Sequence, residues 1–355
     1  MHKYGSLLVA TLLLVAPLTA CESSNTTGTS TSSSGGTSTN SRLNIVKQRG
    51  KLICGVDGKI PGFSFVDESG QYSGLDVDIC KAVAAAVFGD ANAVEYRNLD
   101  STERFEALKS GEVDILSRNT TWTISRDTSV GLEFAPTTFF DGQGMMVRQD
   151  SGITKLEDLE GKAVCVEAGT TTELNLTDAL RQRNIKAETV TFQQADPAYA
   201  AYAEGRCQGM TSDKSQLVAR RSTLPNPDEH TLLDVTMSKE PLGPVTVNND
   251  SAWFDVVKWT TYALIEAEEL GINQGNVDQL KTSENPNIKR FLGTEGDLGK
   301  GAGLSNDFAA NAVKAVGNYG EVYERNLGQG SQFKLPRGQN ALWTNGGLMY
   351  SPPLR

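Results

Sequence analysis

From residue 51 onward the chain switches between two hydrophobic periods. Short runs rich in apolar and β-branched residues at 51–56, 63–66 and 93–97 read as strands, with Glu68-Ser69-Gly70 as a turn. Between them, residues 76–88 place Ile79, Cys80, Val83, Ala84 and Val87 at three-to-four spacing, an amphipathic helix closed by Gly89. Asp100 or Ser101 can cap a helix through Leu108, and 113–116 is the next strand. The alternation continues with strands at 144–147, 163–166, 189–192 and 209–212. Helices are expected from about Thr172, at 197–204 and at 214–221. Repeated β-α-β units of this kind predict largely parallel sheets covered on both faces, and the pattern extends over two of them. In open α/β sheets ligands settle beyond the carboxyl ends of the strands, so the residues just after each strand carry the functional question.

The N-terminus follows a different pattern. Lys3 precedes an apolar run at 7–18, shorter than the roughly 20 residues that span a bilayer. With small residues at its end, the stretch 1–20 reads as a secretory signal peptide. Leu18-Thr19-Ala20-Cys21 resembles a bacterial lipobox, which makes Cys21 the expected lipidated N-terminus of the exported chain. Residues 22–42 contain no apolar side chain and cannot pack, so 21–42 is expected to be a lipidated Cys and a flexible tether. A coil of about 21 residues spans on the order of 25 Å.

The length of 355 residues suits two compact units, and 38 % hydrophobic with 21 % charged residues describes a soluble globular body. A net charge of −10 leaves no electrostatic footprint for nucleic acid. There are two histidines; His2 leaves with the signal, and His230 lies in the turn-like run Pro225-Asn226-Pro227-Asp228-Glu229-His230, where a surface position is expected. A single remaining His builds no His-based triad and no His-rich metal site, and no cofactor or metal is expected. The glycines around Lys300 fail as a phosphate loop because Gly301 stands where Ser or Thr is required, and read as a plain loop.

Three segments after predicted strands carry matching chemistry. The loop after 113–116 runs from Ser117 to Arg126, whose guanidinium can grip a carboxylate with two parallel hydrogen bonds. After 163–166 come Thr170, Thr171 and Thr172 at a helix N-terminus, where free N–H groups favour an anion. Strand 209–212 ends in Asp213, a carboxylate suited to an ammonium. Two anion-holding elements and one cation-holding element match a zwitterionic α-amino acid. Each also has a plain structural use: Arg126 could pair with Asp127 or Glu133, and Asp213 or Thr170–Thr172 could simply cap a helix.

Long motifs in order then identify a family. Ile53-Cys54-Gly55-Val56, Gly74-Leu75-Asp76-Val77-Asp78, Leu116-Ser117-Arg118-Asn119-Thr120-Thr121-Trp122-Thr123, Asp141-Gly142-Gln143-Gly144 and Ala168-Gly169-Thr170-Thr171 lie in the first 200 residues. Lys239-Glu240-Pro241-Leu242-Gly243-Pro244, Ala267-Glu268-Glu269, Gly317-Asn318-Tyr319-Gly320-Glu321 and Gly346-Gly347-Leu348-Met349-Tyr350 follow. From about Leu43 to Arg355 the chain resembles the solute-binding proteins of ATP-driven polar amino acid importers, and most of all their general L-amino acid binding branch. The resemblance implies an α/β, two-lobed periplasmic-binding-protein fold of type II with the ligand cleft between the lobes. It implies that Arg126 clamps the ligand α-carboxylate with help from Thr121 and Thr171, and that Asp213 holds the α-ammonium. Asn119 would line the cleft, Arg104 would point at the ligand side chain, and Phe63 would form the apolar wall. Many members with narrow selection carry Tyr or Phe where this chain has Ile60, and its absence suits broad selection.

The expected organisation is therefore signal 1–20, tether 21–42, first lobe 43–147, second lobe 148–236, and a return to the first lobe with a helical extension over 237–355. Trp253, Trp259 and Trp343 are expected in the core of that extension. Besides Cys21 there are four cysteines, Cys54, Cys80, Cys165 and Cys207, which in an oxidising compartment allow three pairings. The preferred pairing, Cys54–Cys80 with Cys165–Cys207, keeps each bridge inside one predicted lobe. The implied function is a non-enzymatic extracytoplasmic receptor, a monomer on a lipid anchor, that delivers free L-amino acids to membrane permease subunits. The alternatives are a ligand-sensing partner of a signalling receptor and a dehydratase-like enzyme on the same scaffold.

Overall fold

The computed structural model describes residues 41–355, so the expected signal peptide, Cys21 and the tether up to residue 40 lie outside the described residues. The folded body starts earlier than the sequence pattern suggests, with helix α1 (Arg42–Arg49). Ser41 is buried and its hydroxyl accepts from the Leu43 N–H at 3.3 Å. Asp250 in turn accepts from Ser41 Oγ at 2.8 Å and from the Arg42 N–H at 2.5 Å. A carboxylate far along the chain thus recruits Ser41 and Arg42, which composition alone assigns to the tether.

Strand β1 (Leu52–Val56) leads into a small antiparallel sheet of β2 (Lys59–Ile60), β3 (Ser64–Val66) and β4 (Tyr72–Ser73). Helix α2 (Leu75–Phe88), β5 (Val94–Asn98), α3 (Arg104–Ser110), β6 (Ile115–Leu116) and β7 (Leu132–Phe134) follow. The chain then crosses on β8 (Phe139–Asp141) into a second sheet. This lobe comprises β9 (Gln143–Arg148), β10 (Ala163–Glu167), α4 (Thr171–Gln182), β11 (Glu188–Phe192), α5 (Ala195–Ala203), β12 (Gly209–Asp213), α6 (Lys214–Arg221) and β13 (His230–Leu232). It returns on β14 (Glu240–Leu242) to β15 (Val245–Val247) and ends in helices α7 (Ser251–Glu269), α8 (Pro286–Phe291), α9 (Leu298–Gly301), α10 (Phe308–Val316) and α11 (Tyr319–Asn326).

The two five-stranded sheets have orders β5-β1-β6-β15-β7 and β11-β10-β12-β9-β13. In each, the three strands joined by helices are parallel, while β15 and β9 run antiparallel to both of their neighbours. A parallel neighbour requires a crossover connection, and β9 and β15 come straight from the crossing strands, so the sheets are mixed rather than largely parallel. β8 and β14 pair antiparallel, Glu240 opposite Asp141. The crossing therefore falls at Phe139–Asp141 and Glu240–Leu242, not near Val147 and Met237. Strand β9, buried along nearly its whole length, fits only the interior of the second sheet.

Apolar side chains cover both faces of each sheet. In the first lobe, α1, α2, α7, α10 and α11 build the larger core around Leu52, Cys54, Trp253 and Val313, and α3 closes the opposite face with Leu108 against Leu116 and Leu132. In the second, α4 covers one face through Leu176 and Leu180, while Tyr202 of α5 and Leu217 of α6 cover the other. Of the glycines near Lys300, Gly299 and Gly301 lie in the short helix α9, while Gly293, Gly296 and Gly303 stay in turns and bends as a loop requires. Trp343 is half exposed, its indole N–H donating to Glu269 at 2.9 Å, so it is not a core residue. His230 is buried: β13 turns it inward, where the Tyr202 hydroxyl donates to Nδ1 at 2.9 Å and Nε2 donates to the Pro225 carbonyl at 3.3 Å.

Cys54 of β1 is bridged to Cys80 of α2, and Cys165 of β10 to Cys207 just before β12. Each bridge fastens elements of one lobe only. With sequence separations of 26 and 42 residues, loop-closure entropy assigns each about 3–4 kcal/mol. Replacing either pair by alanines is expected to lower unfolding free energy by about that amount in denaturant titrations. A loss shared by reduced wild type and absent from oxidised wild type is the accompanying result.

Candidate functional site

Where the lobes face each other, loops at the carboxyl ends of the strands enclose a narrow polar gap. The first lobe contributes Ser101, Arg104, Arg118, Asn119, Thr121 and Arg126. The second contributes Glu167, Thr170, Thr171, Thr172, Ser212, Asp213 and Gln216. Backbone approach across the gap is close: a Cβ on Gly169, which has φ +70°, would stand 3.2 Å from the Ser101 carbonyl oxygen. Glycine at this position lets the first turn of α4 close onto the opposite lobe.

Arg126 stands on a single π-helical turn, Ser125–Ser129, an irregularity frequent at functional sites. It pairs with neither Asp127 nor Glu133. Instead Nη1 donates to the Thr121 carbonyl at 2.9 Å and the guanidinium lies over the Phe105 ring at 5.2 Å, buried but without a carboxylate partner among the described residues. Burial lowers its pKa to about 10. Arg104 is also buried, and its Nε has no hydrogen-bond partner. Burial, then the nearby Arg118 and Arg126 charges, bring its pKa well below the ordinary arginine value. Asn119 adopts φ 41°, and both polar atoms of its side chain are buried without partners. Unpaired buried donors are costly, so their concentration at one gap marks a place prepared for a polar partner.

Opposite them, Asp213 ends β12 and precedes α6, yet its side chain makes no capping hydrogen bond. It faces the gap instead. Burial, with Asp141 and Glu240 nearby, pushes its carboxyl well above the ordinary range. Capping of α4 falls to Thr170, which accepts from the Glu173 N–H at 3.1 Å. Thr171 is thereby free to reach across the cleft, its Oγ1 3.3 Å from that of Thr121.

The residue that ties these hydroxyls together is Glu240, on the returning crossing strand. Its Oε2 accepts from Thr121 at 2.6 Å and from Thr171 at 2.8 Å, and its Oε1 accepts from Asn175 at 2.8 Å and from Ser238. One buried carboxylate thus bonds to first lobe, second lobe and hinge together. Glu240 was not singled out from the sequence, because a glutamate before a proline in a three-residue strand has no periodic signal. Arg118 and Asp76 were missed for the same reason: Arg118 Nη2 donates to Asp57 at 2.5 Å, and Asp76 accepts from Ser117 Oγ and the Asn119 N–H, both at 3.2 Å. Of the seven ligand residues expected from the sequence, the structure brings six to the gap. Phe63 is the exception: it is buried in the first-lobe core with its ring 5.2 Å from Phe139, held there by the tight packing of Gly74 against its backbone. Ile60 is buried beside it in the same core, so neither position offers the gap a wall.

The family described as bacterial extracellular solute-binding proteins, family 3, matches residues 52–277. The chain belongs to this family. It is 54 % identical over 315 residues to the general L-amino acid-binding periplasmic protein AapJ of Rhizobium johnstonii, covering 88 % of this chain and 92 % of that protein. The glutamate/glutamine/aspartate/asparagine-binding protein BztA of Rhodobacter capsulatus is 48 % identical over 321 residues, covering 90 % and 95 %. A solved ABC transporter/periplasmic binding protein from Brucella ovis with glutathione bound superposes with a TM-score of 0.87 at 49 % identity, over 89 % of this chain and all but 1 % of that one, which is 99 % covered. The fold of the family member described here is the two-lobed type II periplasmic-binding-protein fold.

Burial raises the Asp76 carboxyl to about 7, from an ordinary 3.8. A carboxyl that binds its proton more tightly when folded favours folding at low pH, and this contribution is lost as pH climbs from about 4 to about 7. The Asp76→Asn protein escapes that loss, so its Tm relative to wild type is expected to rise over this window. A difference that instead falls with pH means Asp76 is held ionised by its hydrogen bonds.

Proposed function

We propose that the protein is the extracytoplasmic receptor of an ATP-driven importer, which encloses a free L-amino acid between its lobes and presents it to permease subunits in the membrane. The observation that carries this reading is that buried Arg126 from one lobe and buried Asp213 from the other line the same gap, neither with an oppositely charged side chain in an ion pair among the described residues. A zwitterion completes both. Its α-carboxylate takes two donors from Arg126, with Thr121, Thr171 and the N-terminus of α4 alongside, and its α-ammonium takes Asp213. Arg104, Arg118 and Asn119 then face the side chain and favour oxygen-bearing groups, carboxylate or amide. Among the described residues no aromatic side chain lines the gap, in keeping with broad selection over acidic, polar and neutral ligands.

The names of the relatives support this range. Glutathione, held by the Brucella ovis protein, carries at its glutamyl end the same free α-amino and α-carboxylate groups. The receptor acts by binding alone, as a monomer, with Cys21 as the lipid attachment. Ligand stabilises the closed arrangement only through contacts the open one lacks, and the permease reads that arrangement.

Micromolar or tighter binding of L-glutamate or L-glutamine is expected, about 8 kcal/mol or more. Arg126→Ala and Asp213→Asn are each expected to weaken it by about a hundredfold in calorimetry, since each strands a buried charge. Normal binding by either variant sinks the assignment. Cys21→Ser is expected to move the protein from the membrane to the soluble fraction, checked by fractionation of the producing cells.

A further inference from the structure

Thr121 comes from the first lobe and Thr171 from the second, and both line the gap. Glu240, buried on β14, backs them from outside the lining. The three oxygens form a triangle: Thr121 Oγ1 and Thr171 Oγ1 lie 2.6 and 2.8 Å from Glu240 Oε2 and 3.3 Å from each other. A hydroxyl has one proton to give and a carboxylate has none, so the two short contacts fix both protons on Glu240. The carboxylate is itself held in place, because its Oε1 accepts from Asn175 Nδ2 at 2.8 Å and from Ser238 Oγ.

With their protons turned towards Glu240, both hydroxyls present lone pairs to the gap. They stand beside the ligand α-carboxylate but have no proton for it, which leaves that group to Arg126 and to the N–H groups that open α4. Their matching partner is a donor. An α-ammonium has three N–H bonds; Asp213 on the same gap takes one, and the two threonine oxygens are acceptors for the others. Burial and then the Asp141 and Glu240 charges hold the Asp213 carboxyl up, so this is also the end of the gap that is short of positive charge. An oxygen on the same ligand carbon is mismatched here: the carbonyl of a 2-oxo acid meets acceptors alone and has no proton to offer them.

We propose that Glu240 is a positioning residue for specificity: by holding the protons of Thr121 and Thr171, it makes the cleft select an amine over an oxo or hydroxyl group on the ligand α-carbon. The proposal rests on the amino acid reading and names a discrimination built into that site. Glu240→Gln reverses the polarity. The amide oxygen keeps Asn175 and Ser238 as donors, the new NH2 turns to the two threonines, and their protons swing into the gap.

The test compares L-glutamate, (S)-2-hydroxyglutarate and 2-oxoglutarate by calorimetry on the purified exported protein, the weaker ligands being read by competition with L-glutamate. Wild type is expected to prefer L-glutamate to 2-oxoglutarate by about a hundredfold or more, with the hydroxy acid between them. Glu240→Gln is expected to shrink that preference about tenfold or more, through weaker glutamate and tighter 2-oxoglutarate binding. Thr171→Val, which removes one acceptor and keeps Glu240, is expected to weaken L-glutamate about tenfold and to leave 2-oxoglutarate within about twofold. Should Glu240→Gln not fold, Thr171→Val decides alone. Equal weakening of the amino acid and the oxo acid overturns the proposal, making Glu240 a tie between the lobes and nothing more, and leaves the amino acid site standing. A wild type that binds L-glutamate no better than 2-oxoglutarate, or binds neither, overturns the amino acid reading as well.

Discussion

A buried charge left without a partner is the constraint around which this molecule is arranged. Two lobes with well-packed apolar cores meet over a gap in which Arg104, Arg126 and Asp213 are withdrawn from water and, among the described residues, satisfied by no group of opposite sign in hydrogen-bonding contact. Packing could not stabilise such a junction; the polar groups would be cheaper in water. The lobes therefore close to best effect around something that supplies an anion to one side and a cation to the other. The raised carboxyl of Asp213 expresses the same fact, because burial beside Asp141 and Glu240 leaves it short of positive charge.

Glu240 connects this chemistry to motion. It sits on one of the two strands that join the lobes and accepts hydrogen bonds from Thr121 on one side and from Thr171 and Asn175 on the other. Both threonines border the gap. Any rotation that parts the lobes must break at least one of these bonds, so the hinge strand carries a direct register of whether the cleft is closed. The disulfides do not enter this movement, since each joins a strand to its own lobe.

Much of this was legible in the sequence, and the reasons for the rest are specific. Helices α2, α4 and α6 and the strands around them show clean periodicity; Asp213 ends a strand, Thr171 opens the helix after one, and Arg126 closes the loop after β6, at the end of the sheet where an open α/β fold exposes its functional groups. Phe63 was misplaced because a resemblance carries a residue type to a position and not its direction; here the backbone at Gly74 presses against it and the ring turns to Phe139. His230 was misplaced because its turn-like neighbours hide that it begins an edge strand facing Tyr202. Glu240, Asp76 and Arg118 act at the site through partners 119, 41 and 61 residues away respectively, and no local pattern announces such contacts.

The position of β15 bears on the order in which the molecule can assemble. It occupies the place between β6 and β7, but it is synthesised only after the entire second sheet. The second lobe, contiguous from β9 to β13, has all of its strands as soon as His230–Leu232 has emerged. The first sheet meanwhile keeps an open slot, with β7 lacking its neighbour, until Val245–Val247 threads in. A chain that emerges N-terminus first thus completes its inserted half before the half that began it.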